Sequence, residues 1–342
     1  MNSSRIIRIG TDCSGIEAPI EALRQLKINH QHCWASDINP YVIQSIKANY
    51  NPDIIFGDPD NKTSGDITRR NHQLLPDVDI YVCGFPCQPF SSAGKRNGFQ
   101  DPRGTVFWSC VETIQCVRPK CFILENVFGI MSHDKGNTFK TIISTLESLK
   151  DYTVDWKILN TRDYGIPQNR RRVFIVGMRR SITNKNMKST HVPIKVSREF
   201  NFKWPSSRRV QGKVGEGNWE WKERNILFKY IDKRTTHIDK LTQRQERLLK
   251  RVRSDAIFID KFFLGINTFP NSHIVCPCIV RSNGIWCIPM HRNATVKELL
   301  KLQGFRTPFK QVVSNMQIRY QIGNSMSVNV IKLILKEVLK FL

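Results

Sequence analysis

Short apolar runs and amphipathic stretches alternate through the first half of the chain. Strand-like runs fall at residues 5–10, 32–36, 79–83, 121–125, 154–159 and 173–178. Among them, apolar positions recur at helical spacing over 18–26, 41–50, 105–117 and 137–149. This rhythm predicts an α/β fold with a mostly parallel, doubly wound sheet. It stops after Met178. Residues 179–240 are irregular and rich in Ser, Asn and Trp; a basic helical pattern comes next at 241–252, then strand-like runs at 256–266 and 274–288. Helical patterning returns at Glu298-Leu299-Leu300-Lys301-Leu302, and 328–342 reads as a closing helix. The pattern divides the chain into a regular domain over 1–178, a second domain over 179–288, and a return to the first over 289–342.

Composition narrows the class. A hydrophobic share of 40% and an aromatic share of 10% argue against global disorder. No apolar run approaches the ~18 residues that span a bilayer, and residues 1–8 lack the apolar stretch of a signal peptide. The expectation is a soluble intracellular monomer with no membrane partner, cytoplasmic in a bacterial or viral setting and nuclear in a eukaryotic one. Ten cysteines in 342 residues fit a reducing compartment. Cys276, Cys278 and Cys287 lack paired metal-ligand spacings, so no metal is expected. The net charge is +24, which points to a polyanionic partner, nucleic acid first. Between Met178 and Met290 there are 23 Lys+Arg against 9 Asp+Glu, so one third of the chain carries over half of that excess.

The candidate chemistry centres on Gly84-Phe85-Pro86-Cys87-Gln88-Pro89, which succeeds the strand-like run ending at Cys83. Pro86 and Pro89 restrict the backbone on both sides of Cys87. The thiol is thereby placed on a stiff loop at the carboxyl edge of a sheet, where open α/β folds bind ligands. Taken alone, such a cysteine is also compatible with an inert residue closing a turn. Upstream, Asp12-Cys13-Ser14-Gly15 joins the first strand to the first helix, and Ser14-Gly15 lets the backbone approach a ligand. The second strand ends at Asp37, where an acid suits a ribose hydroxyl pair. Ser64-Gly65-Asp66-Ile67 brings a further carboxylate, suited to an adenine amino group. Together these features predict an adenosine-type cofactor.

The ordered blocks Asp12-Cys13-Ser14-Gly15, Asp37, Gly65-Asp66-Ile67, Gly84-Phe85-Pro86-Cys87-Gln88, Glu125-Asn126-Val127, Gln168-Asn169-Arg170-Arg171-Arg172, Leu302-Gln303-Gly304-Phe305 and Gln321-Ile322-Gly323-Asn324-Ser325 resemble those of the cytosine-5 DNA methyltransferases. The resemblance covers most of the chain. It implies a Rossmann-like S-adenosylmethionine-dependent methyltransferase domain carrying an inserted, smaller target-recognition domain. It also implies double-stranded DNA as partner and S-adenosylhomocysteine as product. Cys87 would be the nucleophile that adds to carbon 6 of a flipped cytosine, since thiolate is the strongest ordinary side-chain nucleophile near neutrality. Glu125, at the end of another strand, would serve the ring nitrogen and exocyclic amine. Arg172 would contact the base's carbonyl oxygen and Arg170 would orient the loop or a phosphate; their alternation predicts that they face the same way.

The resemblance extends the cofactor contacts to Asp12, Cys13, Ser14, Gly15, Asp37, Ile38, Asp66, Ile67, Pro86, Val106, Asn324 and Ser325. Asn126 would hold the site by hydrogen bonding. Gln88, Ser91, Ser92, Ala93, Lys95 and Arg96 would meet the loop or DNA, the last four from a glycine-rich segment suited to a lid. Arg292 and Thr295 match a block that supports the recognition domain.

The first block departs from the family pattern: Cys13 replaces an aromatic, and Glu17-Ala18 replace paired glycines. Asp37 stands where glutamate is commoner. Weaker or altered cofactor binding is the expectation. Two other readings stay open, a tRNA cytosine-5 methyltransferase and a catalytically silent DNA-binding homologue. The acidic-or-polar residue followed by Pro-Pro-aromatic that amino-group methylation needs is absent.

Overall fold

The computed structural model describes residues 5–61, 63–86, 106–183, 202–206, 229–235, 237–243, 246, 258–260, 275–281, 284–306 and 308–342. Its main sheet is built from β1 (Ile7–Asp12), β2 (His30–Ser36), β3 (Ile54–Phe56), β4 (Ile80–Cys83), β5 (Cys121–Val127), β6 (Tyr152–Asn160) and β7 (Arg171–Arg179). The spatial order is β3-β2-β1-β4-β5-β7-β6. β3, β2, β1, β4 and β5 are mutually parallel, and β7 runs antiparallel to β5. Strand order reverses between β1 and β4, the switch point at whose carboxyl side such sheets bind ligands.

Sequence pattern accounts for most of these elements. β4 is buried at every position, as a central strand covered on both faces must be. The helices are α1 (Ala18–Leu26), α2 (Pro40–Asn49), α3 (Val106–Val117) and α4 (Asn137–Glu147). Asn39 caps α2 by accepting from the Tyr41 amide, with Pro40 in the first turn. The short β3 escaped the periodicity reading because three residues are too few to show a period.

Phe107, Cys110 and Ile114 of α3 and Phe139, Ile142 and Leu146 of α4 join Tyr81, Phe122, Leu124 and Ile175 in one apolar cluster. Trp34 lies fully buried on β2 with its ring against Gly10; a β-carbon there would stand 2.2 Å from the indole. Only glycine fits beneath that ring.

The chain divides into two compact units. Unit one holds 1–159, 171–205 and 331–342; unit two holds 160–170 and 206–330. Unit two contains a small antiparallel sheet of β8 (Phe258–Asp260), β9 (Ile285–Cys287) and β10 (Arg292–Asn293). Within it, Thr295 and Glu298 form a capping box at the start of the helix Val296–Leu302. Arg292 grips the fully buried Glu298 carboxylate with two bonds of 2.9 and 2.8 Å and donates to the carbonyls of Asp232 and Thr235. Arg292 and Thr295 therefore brace unit two internally.

Candidate active site

The sequence-selected residues of unit one converge on the carboxyl ends of β1, β2, β4 and β5. The turn from β1 into α1 is strained: Cys13, Gly15 and Glu17 have φ of 50°, 55° and 57°. A left-handed conformation costs a non-glycine residue roughly 1–2 kcal/mol, so the surroundings must hold this turn. Ser14 does so by donating its hydroxyl to Thr11 and accepting from the Ser36 amide at 3.1 Å. The Gly15 amide donates to the Asp37 carboxylate at 3.1 Å, and the Asn39 amide donates to the other oxygen at 2.9 Å. Burial raises the Asp37 pKa against the pull of these amides. Space is open within 4 Å of where a Gly15 β-carbon would point. Ile38, the next residue on β2's exit, is 73% exposed. Asp66 accepts from the Thr68 amide and hydroxyl, while Ile67 is buried beneath it.

Asp12 was expected to face a ligand. Its carboxylate is instead consumed inside the fold. Arg70 takes both oxygens at 2.8 and 2.6 Å, Trp34 Nε1 donates at 3.2 Å and Tyr81 Oη at 2.8 Å. A carboxylate 1% exposed and holding these donors locks the turn in place. Arg70 drew no notice from sequence, since nothing in Thr68-Arg69-Arg70 marks one arginine as buried. Cys13 is a half-buried free thiol; a hydrogen bond with the Cys83 thiol lowers its pKa, while burial and nearby charges outweigh it and raise the value overall.

Behind the turn lies a second buried cluster that the sequence did not reveal. Thr11 Oγ1 donates to Glu17 Oε1 at 2.9 Å and lies 3.0 Å from His32 Nε2. Burial pushes the Glu17 carboxyl up to about 8, opposed by the Thr11 and Ser14 hydroxyls. Burial likewise drives His32 down to about 3. The native protein therefore keeps a neutral acid beside a neutral imidazole. The unfolded chain releases the Glu17 proton near 4.5. Glu17 thus contributes stability at low pH that is lost as pH rises from about 4.5 to 8. His32 acts oppositely, contributing stability above about 6.5 that is lost toward pH 3. Glu17→Gln is expected to remove the alkaline slope, leaving the variant more stable than the parent by about 2–4 kcal/mol at pH 8. Thermal unfolding at pH 5 and pH 8.5 checks this; parallel profiles for the two proteins would contradict it.

At the β5–β7 edge, Glu125 is 8% exposed and its Oε1 lies 3.2 Å from Arg172 Nε. The antiparallel register sets Arg172 opposite Val127, two residues past Glu125 and on the same face. Asn126 points the other way and donates through Nδ2 to the Phe85 carbonyl at 3.3 Å. That bond ties the end of β5 to the backbone two residues before Cys87. Phe85 is anchored by Phe107, ring centroids 5.7 Å apart, and Pro86 is half-buried beside it. Val106, half-buried, opens α3. Cys87, Gln88, Ser91, Ser92, Ala93, Lys95 and Arg96 lie outside the described residues.

Arg170 corrects the expected pairing with Arg172. It precedes β7 and is 2% exposed inside unit two. Its guanidinium donates to the carbonyls of Ile279 at 2.6 Å, Gly323 at 3.2 Å and Ser325 at 2.6 Å. These bonds leave it bound to unit-two backbone and not to a phosphate. Asn324 is exposed at the end of the helix Asn315–Asn324. The Ser325 hydroxyl donates to the Met326 carbonyl. Among the described residues no cluster of three His, Cys, Asp or Glu is arranged to hold a metal, and no helix is long and apolar enough to cross a membrane.

Comparison with known proteins bears on family and fold. The family described as C-5 cytosine-specific DNA methylase matches residues 12–340. Type II methyltransferase M1.ScrFI of Lactococcus lactis subsp. cremoris is 36% identical over 314 residues, covering 90% of this chain and 72% of the relative. Type II methyltransferase M.NgoBI of Neisseria gonorrhoeae is 34% identical, covering 87% and 83%. Among solved structures, a putative DNA modification methyltransferase from an Escherichia coli prophage superposes with a TM-score of 0.62 at 18% identity, covering 98% of this chain and 99% of the other. The Dnmt2 methyltransferase of Schizosaccharomyces pombe gives 0.60 at 17% with the same coverage. At such identities the superpositions speak for the fold.

Proposed function

The chain belongs to the C-5 cytosine-specific DNA methylases and is a DNA cytosine-5 methyltransferase, and from that premise we propose that it acts on a flipped cytosine through a covalent bond between Cys87 and carbon 6. The observation carrying this reading is the buried Glu125–Arg172 pair, next to an asparagine that tethers the backbone leading to Cys87. Carbon 5 of cytosine is a poor nucleophile. Addition of the Cys87 thiolate at carbon 6 pushes electron density onto carbon 5 and nitrogen 3. In this reading the Glu125 carboxyl holds a proton at nitrogen 3 and accepts from the exocyclic amine, its burial at the end of β5 being the supporting observation. The Arg172 guanidinium then turns from Glu125 to the carbonyl oxygen, where negative charge accumulates. Asn126 positions the loop through Phe85. Taking the base out of the duplex is required because stacked neighbours block carbon 6.

Family members normally use S-adenosylmethionine, which when bound supplies an electrophilic methyl group. The residues of unit one suit such a group. Asp37 presents a carboxylate fixed by two amides, Ile38 offers an exposed apolar side chain for a flat base, and Gly15 leaves the turn unobstructed. Asp66, Ile67, Val106 and Pro86 complete that proposal, with Cys13 and Ser14 shaping the turn. Asp12 acts indirectly, its carboxylate locking the turn through Arg70, Trp34 and Tyr81. The family's type II relatives supply the setting, methylation of DNA alongside a restriction activity.

The test is transfer of labelled methyl from S-adenosylmethionine to mixed-sequence duplex DNA and to tRNA, with bisulfite sequencing of the product. Label at carbon 5 of cytosine in DNA is the expected result; label confined to tRNA would overturn the reading. Glu125→Gln is expected to lower kcat by about 10²–10⁴-fold while cofactor binding holds. A change in KM alone would assign Glu125 to binding instead.

A further inference from the structure

We propose that Arg171 is a further substrate-positioning residue, its guanidinium holding a phosphate of the DNA strand that carries the target cytosine. Three arginines run in succession into β7, and the fold uses each differently. Arg170 is spent on unit-two carbonyls. Arg172 pairs with Glu125. Arg171 is exposed, and among the described residues its guanidinium has neither an ion pair nor a hydrogen-bond acceptor.

What Arg171 has instead is an aromatic support. The register that sets Val127 opposite Arg172 brings Phe128 alongside Arg171. The Arg171 guanidinium carbon lies 3.7 Å from the Phe128 ring centroid. Stacking occupies the flat face of the guanidinium and leaves its N–H edges free, and those edges match two phosphate oxygens. Arg172 Nη1 donates to the Arg171 carbonyl at 2.8 Å, so the residue that pairs with Glu125 also fixes the backbone of its neighbour. Phe128 stays 36% exposed, and an exposed stack of this kind stabilises a fold little, so stability does not account for the pair.

Placement decides the ligand. β4 and β5 are parallel and β7 is antiparallel to β5, so Arg171 shares the carboxyl edge of the sheet with the ends of β4 and β5. A nucleotide whose base enters this edge stays joined to its own phosphates. The inference rests on the proposed reading, in which Arg172 meets the base; one residue away, about 3.8 Å along the backbone, Arg171 comes within reach of those phosphates. Such a contact positions the strand and reads no sequence. The net charge of +24 supplies the long-range attraction that brings the duplex there.

The test is binding of the full chain to mixed-sequence duplex DNA over a series of salt concentrations. Arg171→Met is expected to weaken binding about tenfold at low salt and to lower the magnitude of the log–log salt slope by about one, the loss of one phosphate contact. KM for DNA should rise by a similar factor while kcat stays within about twofold. Arg171→Lys should keep the parental slope and recover part of the affinity, since the charge remains and the planar fork is lost. Phe128→Leu should keep the slope and weaken binding about threefold, because the charge stays without its support. Arg118→Met removes an exposed arginine at the opposite, amino edge, between α3 and β5, and should behave as the parent. Parental affinity and slope in Arg171→Met would overturn the contact. So would an equal fall in Arg118→Met, which would mean a diffuse field. An unchanged slope with an altered methylation pattern on bisulfite sequencing would assign Arg171 to base readout and also overturn it. Binding is read without methyl transfer, so these outcomes are separate from failure of the Cys87 reading, which shows as absent transfer by the parent protein.

Discussion

Cys87→Ala is expected to abolish methyl transfer, by on the order of 10⁴-fold or more, while DNA binding stays within about twofold of the parent. In the proposed mechanism alanine removes the atom that adds to carbon 6, and neither Glu125 nor Arg172 can replace a nucleophile. Binding rests on different terms. On the proposed reading the excess of cations between residues 178 and 290 meets phosphates whatever stands at position 87. DNA carrying 5-fluorocytosine sharpens the measurement. In the proposed mechanism the adduct is released after methylation by loss of the proton at carbon 5, and fluorine blocks that loss. The parent protein should then remain attached to DNA through denaturing electrophoresis, and Cys87→Ala should not. A variant that still turns over would remove the covalent step from the mechanism. Equal and undetectable transfer by parent and variant, with DNA bound by both, would favour the silent binding homologue.

The second large effect concerns stability. Arg170→Met is expected to destabilise unit two by about 2–4 kcal/mol, because the buried Ile279, Gly323 and Ser325 carbonyls lose their charged donor and Ser325 keeps only the Gln303 amide. Charge-assisted bonds to carbonyls are the stronger kind, and Gly323 lies in the last turn of its helix, where the helix dipole favours a cation. Met matches much of the arginine volume, so the loss isolates hydrogen bonding and charge. Arg170→Lys should recover only part, since one ammonium cannot reproduce the planar fork that reaches Ile279 and Ser325 together. Limited proteolysis with peptide mapping separates the outcomes: cleavage within 206–330 should rise while 5–86 stays protected. A variant with parental unfolding and reduced activity only would return Arg170 to a functional role.

The positions of the candidate residues were legible along the chain because they are local to strand ends. A strand shows its period and burial in a handful of residues, and the residues just after its last position stand at the carboxyl edge. Gly84-Phe85-Pro86, Glu125-Asn126 and Asp37 were each found in this way, and Asn126 does reach the backbone before Cys87. Arg170 was misread because alternation along a strand assumes the strand has begun, whereas β7 starts at Arg171. Asp12 was misread because a carboxylate's partners are not written beside it: Arg70 and Tyr81 come from 58 and 69 residues away.

Sequence by itself determined most of the strands and helices of unit one, the concentration of positive charge and the family. Those come from local period, from backbone limits at proline and glycine, and from composition, none of which needs a partner across space. Tertiary structure alone decided which charged groups are spent on the fold. It buried Asp12 under Arg70, Arg170 among unit-two carbonyls, and a neutral Glu17 against Thr11 and His32. It also left Glu125 and Arg172 paired at the strand rim. Whether an ionisable group serves structure or chemistry depends on desolvation and on donors brought from distant segments, and both exist only once the chain has folded.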